Sequence, residues 1–164
     1  MKTATFNVNS IRARTPVVSS WLSENRPDIL CLQETKVQDQ DFPAEEFEKM
    51  GYHCSFRGQK SYNGVAILST EEPREISFGF DSEFGGQARF IEAEIGGISI
   101  VNTYVPQGFM PDTDKYTYKL EWLRRLQNYF RKQFSPEDRI IWTGDLNIAF
   151  EDRDVHDPEG LRGH

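Results

Sequence analysis

The sequence predicts a layered protein of mixed helix and strand, α+β or layered α/β, built as one domain. Three observations lead there. The chain has 164 residues, 37% of them hydrophobic and 27% charged, a globular composition at a length that suits one domain. Apolar segments of strand length recur about seven or eight times, mostly joined as hairpins. About three segments carry helical periodicity or capping signals. Elements of both kinds in this mixture pack as sheets covered by helices.

Residues 3–8 read as a first strand. Thr15-Pro16 is expected to open a helix, with Thr15 as cap and Pro16 in the first turn, and Val17, Val18, Trp21 and Leu22 give it one apolar face. Asn25-Arg26-Pro27 ends it. Residues 29–33 form an apolar strand that runs directly into Glu34. Residues 43–50 suit a short helix with acids in its first turn, stopped by Gly51. Tyr52, Cys54 and Phe56 alternate as a strand, and residues 65–68 form another. Residues 89–95 and 98–105 alternate on both sides of Gly96-Gly97, the signature of a hairpin with a two-residue turn. Residues 112–134 form the longest helix, with a buried stripe of Tyr116, Leu120, Leu123, Leu126, Phe130 and Phe134 and with Arg124, Arg125, Arg131 and Lys132 on other faces. Residues 139–143 are a last strand that leaves through Gly144-Asp145-Leu146-Asn147. From Phe150 onward the chain is acidic and rich in turn residues.

Several classes are excluded. No apolar run approaches the roughly 18 residues of a membrane-spanning helix, and MKTATFNVNS lacks the apolar stretch of a secretory signal. Cys31 and Cys54 form no CxxC pair and are expected as reduced thiols of a cytoplasmic protein. The net charge of −7 argues against a polyanion partner, but its distribution does not. Residues 115–132 hold six bases and one acid, whereas residues 137–164 hold eight acids and three bases. That pattern suits a metal-dependent enzyme on a polyanion as well as a protein with a neutral ligand.

Polar clusters stand at the ends of the apolar strands. Asn7 and Asn9 alternate with Phe6 and Val8 and are expected on one face. Asn is depleted in strands, so the pair marks either a strand end or a site. Glu34 is either a helix cap or a ligand. Tyr104 shares a face with Asn102, Ile100 and Ile98 and either packs or serves a site. Asp145 and Asn147 sit in a Gly-Asp-x-Asn turn, a pattern also common for local reasons. Taken together, Asn, Asp and Glu oxygens select hard cations such as magnesium or manganese. Two carboxylates converging without a cation should force one pKa upward. Among the histidines, His53 reads as structural, His156 lies in a polar loop, and His164 is the last residue.

Five ordered segments carry a resemblance. Phe6-Asn7-Val8-Asn9-Ser10-Ile11-Arg12-Ala13-Arg14, Leu32-Gln33-Glu34-Thr35-Lys36, Tyr62-Asn63-Gly64-Val65-Ala66, Asn102-Thr103-Tyr104-Val105-Pro106-Gln107-Gly108 and Gly144-Asp145-Leu146-Asn147 resemble the exonuclease III family of bacterial-type apurinic/apyrimidinic endonucleases, within the endonuclease/exonuclease/phosphatase superfamily. The resemblance implies a four-layer α/β sandwich of the deoxyribonuclease I-like type and magnesium-dependent hydrolysis of DNA, with manganese as a substitute. It implies cleavage 5′ to abasic sites and 3′→5′ degradation of duplex DNA. By position it assigns metal binding to Glu34, Asn7, Asp145 and Asn147, and catalysis to Tyr104, Asp145 and Asn147. Asn9, Arg12, Lys60, Tyr62 and Asn63 become contacts to DNA. Family members run on past residue 164, so the chain is expected to be the N-terminal portion of one domain, with the second sheet and its helices incomplete. The parent protein is expected to be a cytoplasmic monomer that binds double-stranded DNA, with no membrane partner and no cofactor beyond metal. The isolated chain is expected to expose apolar surface and to be poorly soluble, partly folded or oligomeric. A non-catalytic DNA-binding remnant and a small-phosphoester phosphatase are the rival readings.

Overall fold

The computed structural model describes residues 1–80 and 86–161. They fall into two compact units, one of Met1–Tyr104 with Ser135–Asp145 and one of Val105–Phe134 with Leu146–His164; His164 itself lies outside the described residues.

The first unit contains β1 (Thr3–Asn7), α1 (Ile11–Asn25), β2 (Ile29–Gln33), α2 (Ala44–Glu48), β3 (His53–Arg57), β4 (Val65–Ser69), β5 (Arg74–Phe78), β6 (Phe90–Ile95), β7 (Ile98–Tyr104) and β8 (Ile140–Asp145). Its first sheet has the order β1-β2-β4-β3 and its second the order β5-β6-β7-β8. β1 runs parallel to β2 and β7 parallel to β8, while the other pairs are antiparallel.

The apolar runs of β2 and β4 are continuous because both of their faces are covered. Leu30, Leu32, Ala66 and Leu68 face Ile11, Val18 and Leu22 of α1 and Phe47 of α2. Their neighbours Ile29, Cys31, Val65 and Ile67 face Ile91, Ala93 and Ile95 of β6 and Ile100 and Tyr104 of β7. This unit is therefore layered as helices, sheet and sheet, the mixed two-sheet architecture expected. Burying each Leu or Ile here contributes roughly 1.5–3 kcal/mol.

Two polar side chains obey the same alternation and end up between the sheets. Gln33 and Asn102 are 1% and 0% exposed. Gln33 Nε2 donates to Asn102 Oδ1 at 2.7 Å and to Thr5 Oγ1 at 2.9 Å. Asn102 Nδ2 donates to the Leu32 and Ala66 carbonyls, both at 2.9 Å. Buried amides are tolerated only when satisfied in this way, and here the bonds tie the second sheet to the first.

Three local expectations need correction. α1 begins at Ile11, a turn before Thr15-Pro16. The Ser10 and Ile11 N–H groups donate to the Glu34 and Thr35 carbonyls at 2.8 and 3.0 Å, so the exit of β2 supplies the missing cap. Thr15 is no cap, since its hydroxyl bonds back to the Ile11 carbonyl at 2.8 Å. Asn9 lies beyond β1 in the left-handed region, with φ 41°, and does not continue the alternation of Asn7. β5 gives no apolar signal because Arg74, Glu75 and Ile76 are exposed; antiparallel pairing to β6, with a register shift between Arg74 and Ser77, holds it.

The second unit holds α3 (Asp114–Gln133), capped by the Thr113 hydroxyl, which accepts from the Tyr116 N–H. Asp114 in the first turn and Arg131 and Lys132 in the last complement the helix dipole. Its buried face is centred on Trp122 and Leu126; Leu120, expected in the stripe, is 50% exposed. Arg124 and Arg125 both pair with Glu121, at 2.7 and 2.6 Å, and their hydrogen bonds hold its carboxyl down at about 2. Among the described residues no helix is long and apolar enough to cross a membrane.

Candidate active site

Both parallel strand pairs end at one place. Asn7 and Gln33 are partners at the ends of β1 and β2, and Tyr104 and Asp145 are partners at the ends of β7 and β8. The loops that leave β1 and β2 are pinned to one another through their backbones. Val8 N–H donates to the Gln33 carbonyl, and Thr35 and Lys36 N–H donate to the carbonyls of Gly64 and Asn63. Gly64 N–H in turn reaches Ala88 O at 2.8 Å. Asn9, Ser10, Glu34, Lys36, Ser61 and Asn63 all have positive φ. Non-glycine residues hold that conformation only where the surroundings over-determine it, and such strain gathers at functional sites.

At the centre, Asn7 Nδ2 donates to Glu34 Oε1 and to Asp145 Oδ2, each at 2.7 Å. Its Oδ1 accepts from the Asn9 N–H at 3.0 Å, so the amide nitrogen is the end that meets the carboxylates. Lys36 Nζ lies 2.6 Å from Glu34 Oε2 and 2.5 Å from Asn9 Oδ1. Tyr104 and Glu34 act on one another, Tyr104 drawing the Glu34 carboxyl down and Glu34 pushing the Tyr104 hydroxyl up. The Arg89 guanidinium lies 4.5 Å from the Tyr104 ring centroid.

Burial alone would raise the Glu34 carboxyl, but bonds from Asn7, Lys36 and Tyr104 and the charge of Lys36 hold it below its ordinary value. The upward shift expected of converging carboxylates therefore does not fall on Glu34. Tyr104 is pushed up to about 12 by burial and then by Glu34, with Arg89 opposing. At neutral pH it is a hydrogen-bond donor and not a phenolate.

The donor set fits a hard cation. Glu34 and Asp145 converge on one amide, and a carboxylate has lone pairs enough to accept both a hydrogen bond and a metal. Among the described residues no three His, Cys, Asp or Glu side chains converge, and one or two carboxylates are the usual protein share of a magnesium shell.

The other sequence-predicted residues have varied settings. Asn9, Arg12, Lys60 and Tyr62 are exposed. Asn63 is 7% exposed, and its amide donates to Gln59 Oε1 at 2.8 Å, so its side chain serves its own loop. In the second unit, Asn147 Nδ2 donates to the Val105 carbonyl at 2.8 Å and its own carbonyl accepts from Lys119. His53 and His156 are exposed. Sequence reasoning did not single out Lys36, Arg89 or the Gln33–Asn102 pair. An unexplained charge next to Glu34 was the available signal for Lys36; no local signal marks Arg89.

Residues 4–164 match the Endonuclease/Exonuclease/phosphatase family. The chain is 38% identical over 162 residues to an exodeoxyribonuclease III of Haemophilus influenzae, a match covering 94% of the chain and 60% of that protein. An AP endonuclease structure from Archaeoglobus fulgidus superposes with a TM-score of 0.96 at 54% identity, over 100% of this chain and 64% of that one. A 3′ phosphatase from Neisseria, solved with a product DNA hairpin, gives 0.93 at 40% identity, over 98% of this chain and 63% of that one. The chain thus spans about three fifths to two thirds of the length of these relatives.

Proposed function

The chain belongs to the endonuclease/exonuclease/phosphatase family, and from that premise we propose that it acts in a magnesium-dependent DNA repair nuclease. The reaction is hydrolysis of a phosphodiester 5′ to an abasic site, together with 3′→5′ removal of nucleotides from duplex DNA. One observation carries the reading: Asn7 brings the carboxylates of Glu34 and Asp145, 111 residues apart in sequence, to a single amide.

Glu34 and Asp145 would hold the magnesium, and manganese would substitute in the same oxygen set. Asn7 keeps the two carboxylates in register. The bound cation supplies charge to offset that of the phosphate and the leaving oxygen. Asp145 orients the attacking water and accepts its proton. Tyr104, neutral at working pH, donates its hydroxyl to a phosphate oxygen and strengthens that bond as charge develops. Lys36 keeps Glu34 ionised. The exposed Asn9, Arg12, Lys60 and Tyr62 are the proposed contacts to the DNA, while Asn63, buried and bonded to Gln59, shapes the loop between them. The protein is proposed to work as a cytoplasmic monomer with no cofactor beyond the metal.

The deciding experiment is incision of a duplex with one synthetic abasic site, in magnesium and in chelator, by this chain and by a form extended to the length of its relatives. Magnesium-dependent incision 5′ to the site supports the reading. A folded protein that binds the duplex without cutting it would leave a DNA-binding remnant. The 40% identity to a 3′ phosphatase favours one second reading, phosphate removal from a 3′ end; release of phosphate from a 3′-phosphorylated primer without incision would select it.

A further inference from the structure

We infer that Arg89 is a positioning residue for Tyr104, fixing the ring at the end of β7 and presenting its hydroxyl to the ligand side of Glu34. The inference rests on the reading of Tyr104 as donor to the phosphate. A tyrosine at a strand end is held by its backbone but retains freedom about two side-chain torsions, and a donor that must be aimed cannot keep that freedom.

Arg89, immediately before β6, meets Tyr104 from the neighbouring strand in several ways. The Tyr104 N–H donates to the Arg89 carbonyl at 2.8 Å, which fixes the relative height of the two residues. Arg89 Nη1 donates to the Tyr104 carbonyl at 3.2 Å. The guanidinium then covers the ring, 4.5 Å from its centroid. Arg89 is itself aimed by Gln87, whose Oε1 accepts from Nε at 2.5 Å. Backbone and ring face of Tyr104 are thus held by one residue.

The chemistry explains why the residue is arginine. A guanidinium stacks on an aromatic face while its fork donates to the backbone carbonyl beneath it, and it has no acceptor. Arg89 therefore cannot take the Tyr104 proton, which is left for Glu34 or for a phosphate oxygen that takes Glu34's place. An ammonium could supply the charge but not the stacked plane and the fork together.

The test reads Tyr104 directly at constant pH 7. With tyrosine labelled at ¹³Cζ, the Tyr104 resonance, assigned by its loss in Tyr104→Phe, should stand apart from those of the other five tyrosines and shift towards them in Arg89→Met. The Tyr52 resonance, whose hydroxyl donates to the Pro27 carbonyl at 2.9 Å, should stay in place and reports that the fold is intact. If Arg89→Met does not fold, Arg89→Lys replaces it and should shift the same resonance, because lysine cannot form the fork. A folded variant with the Tyr104 resonance unmoved overturns the inference. In the incision assay, Arg89→Met should lower kcat about 10- to 100-fold with KM nearly unchanged, and should lower it no further in a Tyr104→Phe background. Equal losses in both backgrounds also overturn it. A wild-type protein without nuclease activity would refute the proposed function instead, and the resonance alone would then decide the role of Arg89.

Discussion

Asn7 is the residue on which the site turns, because its amide nitrogen bonds Glu34 and Asp145 at once. Asp145→Asn removes the proposed proton acceptor while keeping a side chain of the same shape. Incision should fall about 10²- to 10³-fold, the loss typical of one preorganised group, with the circular dichroism spectrum unchanged. Gly144, just before it, has φ 141°, and a β-carbon there would overlap the Thr103 carbonyl on the adjacent strand. Gly144→Ala should therefore cost about 2–4 kcal/mol, measured by urea unfolding, and should displace Asp145. The lowered pKa of Glu34 has a definite sign: its share of stability is present above the unfolded value of 4.5 and is lost as pH falls through the folded value below it. The stability gap between wild type and Glu34→Gln, read from urea midpoints, should narrow between pH 5 and pH 3. At this scale the sequence identified Asn7, Glu34, Tyr104 and Asp145 as residue types in need of a reason. It did not pair Lys36 with Glu34 or Arg89 with Tyr104, because the first pair forms across a strained loop and the second across two strands.

Among the elements, periodicity was most informative where both neighbours of a segment are apolar and least where one side is solvent. β2, β4 and the β6–β7 hairpin were legible because two-sided burial or a Gly-Gly turn leaves a strong pattern. β5 was not, since an exposed edge strand held by backbone pairing needs no pattern at all. α1 starts a turn early because β2's exit loop caps it, a long-range effect invisible to local capping rules. In α3 the predicted stripe holds at Leu126, 2% exposed, but the buried face also takes in Trp122, 3% exposed, and leaves Leu120 in solvent. Trp122→Ala should cost about 3–5 kcal/mol, whereas Leu120→Ala should stay within about 0.5 kcal/mol; thermal melts of the two variants compare them directly.

For the molecule as a whole, the informative feature is polar: the Gln33–Asn102 contact between the sheets. Asn102→Leu keeps the approximate volume and strips the Gln33 amide and the Leu32 and Ala66 carbonyls of a partner. The expected loss is about 2–4 kcal/mol, read from chemical unfolding. A neutral result would mean that an apolar pair serves the interface equally well and that the amides are there for another reason. Because Gln33 precedes Glu34 and Asn102 lies two residues before Tyr104, the contact also sets the register between the strands that carry the site. The architecture was legible in outline, as two sheets with helices, but this bridge was not, because alternation predicts which face a residue takes and not what it meets there.

By itself the sequence determined most element types, the apolar character of the central strands, the hairpin at Gly96-Gly97 and, through five ordered segments, the resemblance to a nuclease family. Those properties are local, set by side-chain spacing of two or 3.6 residues and by the backbone freedom of glycine. Only the tertiary structure decided that one amide joins Glu34 to Asp145, that Lys36 pairs with Glu34 and Arg89 covers Tyr104, and that the loops around the site adopt left-handed backbone. Those properties depend on segments far apart in the chain being brought to one sheet end, where backbone hydrogen bonds between loops offset the strain that no single loop would accept alone.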